Sequence, residues 1–274
     1  MATRSKNLSF KEIATILNKM ECTDSSCNEC KPTQRKKRIV FALPGRSYSG
    51  EFLKSWTLLV HQFAQENYEV ILSQQYNSVV HFARAKCLGA DVRAGADQKP
   101  FGSVLGQLDY DYIMWIDSDI AFQPNQIKQL IYDSDTYDKN IVSGIYMMED
   151  GVNFAVVPSC DLQYFAKNAA FEFLTLPKLE EMRQTKAKET EERLLQVDYT
   201  GLGFTLFRKG VFEKLKYPWF YHPLESVQQE DPDKPPMVDM VSEDAALFKN
   251  LKNVGESAYI DIFVRVGHEK TIVL

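Results

Sequence analysis

Two carboxylates one residue apart, Asp117 and Asp119, close an apolar run, Tyr112-Ile-Met-Trp-Ile116, and their type and spacing suit chemistry. The run has the length and composition of a strand buried on both faces. Such a strand cannot hold charge, so both carboxylates emerge at its C-terminal end, where open α/β sheets bind ligands. Carboxylates at i and i+2 on an irregular strand end can converge on one hard cation, which keeps positions open for phosphate oxygens. The plainer alternative is a strand-to-turn junction in which Asp caps the next turn.

A second acidic pair, Glu243 and Asp244, comes after Ser242 at the start of a predicted helix. Ser at the N-cap with acid in the first turn is ordinary helix-dipole chemistry. A carboxylate held there can also serve as a general base, and the two roles are compatible. Arg84 and Lys86 lie on an early helix and suit either an anion or a solvated face. Gly201 and Gly203 allow close backbone approach, or form a plain turn. Trp219 and Phe220, followed by Tyr221, are aromatic faces for sugar stacking or for core packing. Cys22, Cys27 and Cys30 cluster, but no fourth ligand lies near them for a zinc site. They read as thiols in a polar linker, and an odd total of five cysteines fits reduced thiols better than a disulfide framework.

The elements that must carry these residues emerge from periodicity. Residues 1–37 read as a short amphipathic helix over 1–20 and a polar linker; the polar stretch runs to 38 and ends in the basic run Arg35 to Arg38. A strand over Ile39–Leu43 breaks at Pro44-Gly45. A helix over Phe52–Gln65 puts Leu53, Trp56, Leu59, Val60 and Phe63 on one face. A strand over Tyr68–Ser73 and a helix over Val79–Leu88 come next, then the Asp117/Asp119 strand, a helix after Pro124 and a strand over Ile141–Met148. This alternation predicts an α/β fold with a mostly parallel central sheet. The second half is less regular. Strands are expected over Val152–Val157 and Glu172–Leu176, a charged helix or arm over Leu179–Leu194, and a last strand over Tyr259–Val266 leading to His268. The expected organisation is a single domain over 38–274 after the N-terminal helix and linker.

The 274 residues are 45% hydrophobic and 25% charged, ordinary for a globular chain large enough for a substantial core. A net charge of −5 argues against broad nucleic-acid binding, which needs a basic field. No apolar run approaches a membrane span and no signal-peptide pattern opens the chain, so the expectation is a cytosolic protein.

Taken in order, Ala83-Arg84, Trp115-Ile-Asp-Ser-Asp-Ile120, Ile141-Val-Ser-Gly144, Gly201-Leu-Gly203, Ser242-Glu-Asp244 and Val264-Arg-Val-Gly-His268 resemble the nucleotide-sugar glycosyltransferases of the GT-A fold, the family-2-like group in particular. The resemblance spans roughly Arg38 to Glu269; each element alone is weak and the ordered set is fairly specific. It implies a Rossmann-like sheet with flanking helices and a smaller β region on the acceptor side. It also implies a UDP-sugar donor, with UDP-xylose first, and a hydroxyl acceptor on a glycan, with fucose a candidate. Pro44, Gly45 and Arg46 would then receive base and ribose, joined by Arg84, Lys86, Asp117 and Ser118. The acceptor would meet Gly201, Gly203, Trp219 and Phe220. Asp119 becomes the main ligand of Mn²⁺ or Mg²⁺, Asp117 shares the metal or the ribose, and His268 is a third ligand, which tilts the choice to Mn²⁺. Asp244 resembles the base of an inverting reaction, with Glu243 as runner-up.

Two other readings compete. Haloacid-dehalogenase phosphatases also place Asp at i and i+2 after an apolar strand. They want a small Thr or Val two residues later and close to the N-terminus, whereas here Asp119-Ile-Ala-Phe122 lies far into the chain. A non-catalytic nucleotide- or glycan-binding module would not need Asp119, Asp244 and His268 together.

Overall fold

In the computed structural model, residues 35–102, 108–229, 231 and 233–270 are described. The expected N-terminal helix and Cys22, Cys27 and Cys30 lie outside them. β1 (Lys37–Pro44), β2 (Tyr68–Gln75), β3 (Tyr112–Ile116), β5 (Ile141–Ile145), β7 (Leu194–Val197), β9 (Phe204–Arg208) and β12 (Ala258–Arg265) form one seven-stranded sheet. Its order is β2-β1-β3-β9-β5-β12-β7. β1, β2 and β3 run parallel, as do β5 and β12, while β9 runs antiparallel between β3 and β5 and β7 antiparallel on the edge. Five strands therefore share one direction and end on one edge. The α/β, mostly parallel class expected from the alternation is what is found.

The helices are α1 (Gly50–Gln65), α2 (Val80–Cys87), α3 (Pro124–Thr136), α4 (Leu162–Asn168), α5 (Leu176–Thr185) and α6 (Glu243–Asn253). Side chains alternate across β1, with Ile39, Phe41 and Leu43 on one face and Val40 and Ala42 on the other. The first face packs on Phe52, Leu59 and Phe63 of α1 and Ile127, Leu130 and Ile131 of α3. The second packs on Ala85 and Cys87 of α2 and Leu247, Phe248 and Leu251 of α6. The buried stripe of α1 is Phe52, Ser55, Leu59 and Phe63. Leu53 and Val60, expected on it, are 62% and 38% exposed. The stripe is displaced because the sheet reads α1 from Phe52, at helical spacing of three and four.

The smaller β region comprises three two-stranded pairs. They are β4 (Ile120–Ala121) with β13 (Gly267–His268), β6 (Val156–Val157) with β8 (Tyr199–Thr200), and β10 (Leu224–Val227) with β11 (Met237–Met240). The expected strand over Glu172–Leu176 does not form: Thr175 makes one isolated bridge to Asn153, and Leu176 already opens α5 with Pro177 in its first turn. Strand β5 stops at Ile145 and the Val152–Val157 strand shrinks to two residues.

One buried cluster ties α3 to β12. Arg193 donates to Asp261 from Nε at 2.9 Å and lies 2.7 Å from it through Nη2, and its Nε is 3.6 Å from Asp133. Both carboxyls are fully buried. One arginine cannot offset two buried carboxylates. Burial and the neighbouring Asp261 raise the Asp133 carboxyl to about 7. Among the described residues Oδ2 of Asp133 has no partner, and a proton shared between Asp133 and Asp261 satisfies both groups. A folded value above the unfolded one of about 4 means this stabilisation is complete below pH ~4 and is lost as pH rises through ~7. Asp133→Asn, whose amide donates at every pH, should raise Tm by about 2–4 °C at pH 8 and by little at pH 4.5. Thermal melts at the two pH values check this.

Candidate functional site

The shared edge of the five codirectional strands gathers most of the expected residues. Asp117 lies just past β3, Tyr146 just past β5, His268 beyond β12, and Pro44 ends β1. α6 precedes β12, and its first turn carries Glu243 and Asp244.

At the centre is Arg84, 5% exposed on α2. Nη1 and Nη2 lie 3.2 Å from Oδ1 and Oδ2 of Asp117, and Nε donates to Glu243 Oε1 at 3.2 Å. The guanidinium also lies over the Trp115 ring, 5.7 Å from its centroid. Burial opposes the charge, but Asp117 and Glu243 outweigh it and hold the guanidinium protonated. Arg84 is therefore not on a solvated face. Lys86, two residues on, points to the opposite side and is exposed, so the helix does not bring it to Arg84.

This pairing corrects two expectations. Asp117 does not converge with Asp119 on one cation, because the turn closed by Ile120 N–H to Asp117 C=O separates them and both oxygens of Asp117 face Arg84. Glu243 is a counter-ion and not a free base. It is 7% exposed, with Oε1 on Arg84 and Oε2 3.9 Å from His222 Nε2.

Asp119 turns the other way. Its Oδ2 lies 3.2 Å from His268 Nε2 and accepts from Lys270 Nζ at 2.9 Å. Partial burial works against ionisation, but the hydrogen bonds from His268 and Lys270 prevail and hold Asp119 at about 2. The same bond to Asp119 raises His268, against desolvation and with help from the Met147 carbonyl. His268 is seated by the β4–β13 pairing, which sets it opposite Ile120, while Glu269 N–H donates to the Asp119 carbonyl at 2.8 Å. Nδ1 lies 2.6 Å from the Met147 carbonyl. Both ring nitrogens thus face oxygen acceptors, so the ring that makes both contacts carries a proton on each; a neutral ring keeping its proton on Nδ1 would turn a lone pair on Nε2 toward Asp119 and suit it to a cation.

Whether a divalent cation fits can be judged from this pair. Donors about 2.1 Å from an octahedral ion stand about 3 Å apart, close to the 3.2 Å between Asp119 Oδ2 and His268 Nε2. A carboxylate oxygen with an imidazole nitrogen suits Mn²⁺, and a diphosphate would supply further oxygens. Lys270 must leave Oδ2 for the ion to enter. Among the described residues, no group of three or more His, Cys, Asp or Glu side chains is placed to hold a metal. A cation entering here would meet two donors among the described residues, Asp119 and His268, since Asp117 faces Arg84.

Asp244 is half-buried at the first turn of α6. Oδ1 accepts from Ser242 Oγ at 2.5 Å and from Ala245 N–H at 2.8 Å, and Oδ2 accepts from Tyr199 Oη at 2.8 Å. A carboxylate has about four acceptor positions. Among the described residues three are filled, and the remaining one is on Oδ2.

Gly201 and Gly203 are both buried, against the expectation of an open sugar-facing turn. A Cβ on Gly201 would stand 2.0 Å from Tyr146 Oη, and one on Gly203 would stand 2.8 Å from Tyr146 Cζ. The glycines make room for Tyr146, whose Oη accepts from Gly203 N–H at 3.0 Å. The Tyr146 ring stands edge-on to His268 at 5.1 Å, and its hydroxyl feels the charges of Asp117, Asp244 and Arg84. Trp219 and Phe220 are 1% and 2% exposed, packed with Tyr217, Phe212 and Trp115. They are core residues, and no face of either is open to a sugar.

Pro44 is buried, Gly45 half-buried and Arg46 exposed, with Arg46 5.7 Å over the Tyr76 ring. A Cβ on Gly45 would stand 2.8 Å from Ser118 Cβ, so the end of β1 packs directly on the Asp-Ser-Asp turn. Sequence reasoning missed Tyr146, Tyr199 and Lys270. Position alone could have found Tyr146, the first residue past a buried strand on the ligand-binding edge; no sequence pattern pointed to Tyr199.

Neither the family models nor the curated proteins contain a match to this chain. Among solved structures, the crystal structure of A197 from STIV is similar over 87% of this chain and 96% of its own, at 14% identity and a TM-score of 0.46. A likeness of that degree concerns overall shape alone.

Arg84→Met would leave Asp117 and Glu243 facing each other without a cation. Breaking such a pair costs about 3 kcal/mol or more, and urea unfolding should register that loss. Arg84→Lys should recover only part of it, since one ammonium cannot serve three contacts.

Proposed function

We propose that this chain is an inverting, metal-dependent glycosyltransferase of the GT-A type, moving a sugar from a nucleoside diphosphate to a glycan hydroxyl. The observation that carries the reading is the open acceptor position on Asp244 Oδ2, on the same sheet edge as the Asp119–His268 pair. An acceptor hydroxyl is a poor nucleophile at neutral pH and needs a base in a single displacement. Asp244 is held by three donors and has one lone pair left for that proton. A divalent ion held by Asp119 and His268 would offset the charge of the departing diphosphate as a Lewis acid.

Arg84 fixes Asp117 and Glu243, and so keeps the first turn of α6 against the β3 edge. Gly45, Ser118 and the exposed Arg46–Tyr76 pair, at the ends of β1 and β2, form the surface offered to a base and ribose. UDP-xylose as donor and a fucose-bearing acceptor are the finer reading, supported by the motif resemblance alone. The motifs favour the transferase over a phosphatase, and the base geometry favours it over a binding module.

Nucleoside diphosphate release from UDP-, GDP- and dTDP-sugars, with Mn²⁺ and with EDTA, tests the class. Slow hydrolysis of one donor, abolished by EDTA and by Asp119→Ala, is expected; cleavage of simple phosphate esters in place of any donor would overturn it. Asp244→Asn should leave donor binding intact and lower transfer by about 10²–10⁴-fold. Transfer at the wild-type rate would remove Asp244 from the mechanism.

A further inference from the structure

We infer that Tyr199 is the positioning residue for the Asp244 carboxylate, a role that rests on the reading of Asp244 as the base. Tyr199 lies on β8, a two-residue strand paired with β6, and together with Asp198 before it contacts α6 along its length. Its hydroxyl donates to Asp244 Oδ2 in the first turn, and its ring stands edge-on to Phe248 at 5.9 Å, one turn further along the helix. The residue before it, Asp198, accepts from Lys252 Nζ at 2.6 Å in the last turn of α6. Residues i and i+4 share one helix face, so Asp244 and Phe248 together make a seat for one tyrosine.

The position of the donor matters because the other two donors are local. Ser242 and Ala245 belong to the cap and hold Oδ1 wherever the helix goes. Among the described residues Tyr199 alone ties Oδ2, the oxygen with the open lone pair, to a different element. It thereby sets the carboxylate plane and the direction of that lone pair. Burial first, and then the adjacent Asp244, keep the Tyr199 hydroxyl protonated, so it remains a donor across the pH range of catalysis. The other charged or titratable groups facing Asp244 are Arg84 on α2 and Tyr146 after β5, with Glu243 beside it on α6. Among the described residues these groups bond elsewhere, Arg84 to Asp117 and Glu243 and Tyr146 to Gly203, so none duplicates the Tyr199 contact.

Tyr199→Phe removes one oxygen and keeps the ring against Phe248. With the full chain and the donor found by the nucleotide-release panel, kcat should fall by up to about 100-fold, the cost of a misplaced catalytic group. KM for the donor should stay within about twofold. A readout free of turnover is the side-chain ¹³C carboxyl resonance of Asp244 at pH 7, assigned with Asp244→Asn. It should shift in Tyr199→Phe. Phe248→Leu loosens the same packing without touching the hydrogen bond; it should lower Tm while leaving the resonance in place. An unmoved resonance and an unchanged kcat in Tyr199→Phe would overturn the assignment, as would equal shifts in Phe248→Leu. If the wild type transfers no sugar from any donor, the base reading falls, and the resonance still decides whether Tyr199 holds the carboxylate.

Discussion

The arrangement of this edge depends on one buried cation. Arg84 is drawn out of water by α2 packing on the sheet, and a buried guanidinium must be matched by carboxylates or it destabilises the fold. Asp117 from the end of β3 and Glu243 from the start of α6 provide the match. These two acids are 126 residues apart in sequence (243 minus 117). Their common cation fixes where α6 begins relative to the sheet, and with it where Asp244 stands. A guanidinium suits this task better than an ammonium, since its fork reaches two carboxylates in fixed directions.

Neighbouring acids thereby acquire different work. In each pair one member is consumed by Arg84 and the other is released to face the open edge. Asp117 is consumed and Asp119 is free for His268; Glu243 is consumed and Asp244 is free for Tyr199. The division has its origin in local geometry. The turn after β3 sends residues i and i+2 to different sides, and successive residues in a helix turn point about 100° apart. Lys270 completes the charge balance at Asp119, where a carboxylate and an imidazole otherwise stand alone.

Tyr146 holds the two halves together. The backbone at Gly201 and Gly203 could accept no side chain where the Tyr146 ring lies, and Asp117 N–H bonds to the Gly203 carbonyl at 3.0 Å. β9 therefore enters the sheet antiparallel between β3 and β5 with its glycine turn wrapped on one tyrosine. That ring touches His268, so the packing under the site and the seat of the imidazole are one structure.

The sequence by itself determined the α/β class, most of the core elements and the edge on which the site lies. Hydrophobic runs and helical periods are local signals, and the end of a buried strand is the only place its charges can emerge. It also singled out Asp119, Asp244 and His268, through motif order. Every choice between two local roles for one residue stayed open at that level. Trp219 and Phe220 became core, Gly201 and Gly203 became space for Tyr146, and Arg84 became buried while Lys86 stayed in solvent. The antiparallel β9 and the β8 contact to α6 were likewise beyond it. Such outcomes depend on which side chain arrives from a distant part of the chain to fill a volume or offset a charge. Only the tertiary structure brings those partners together.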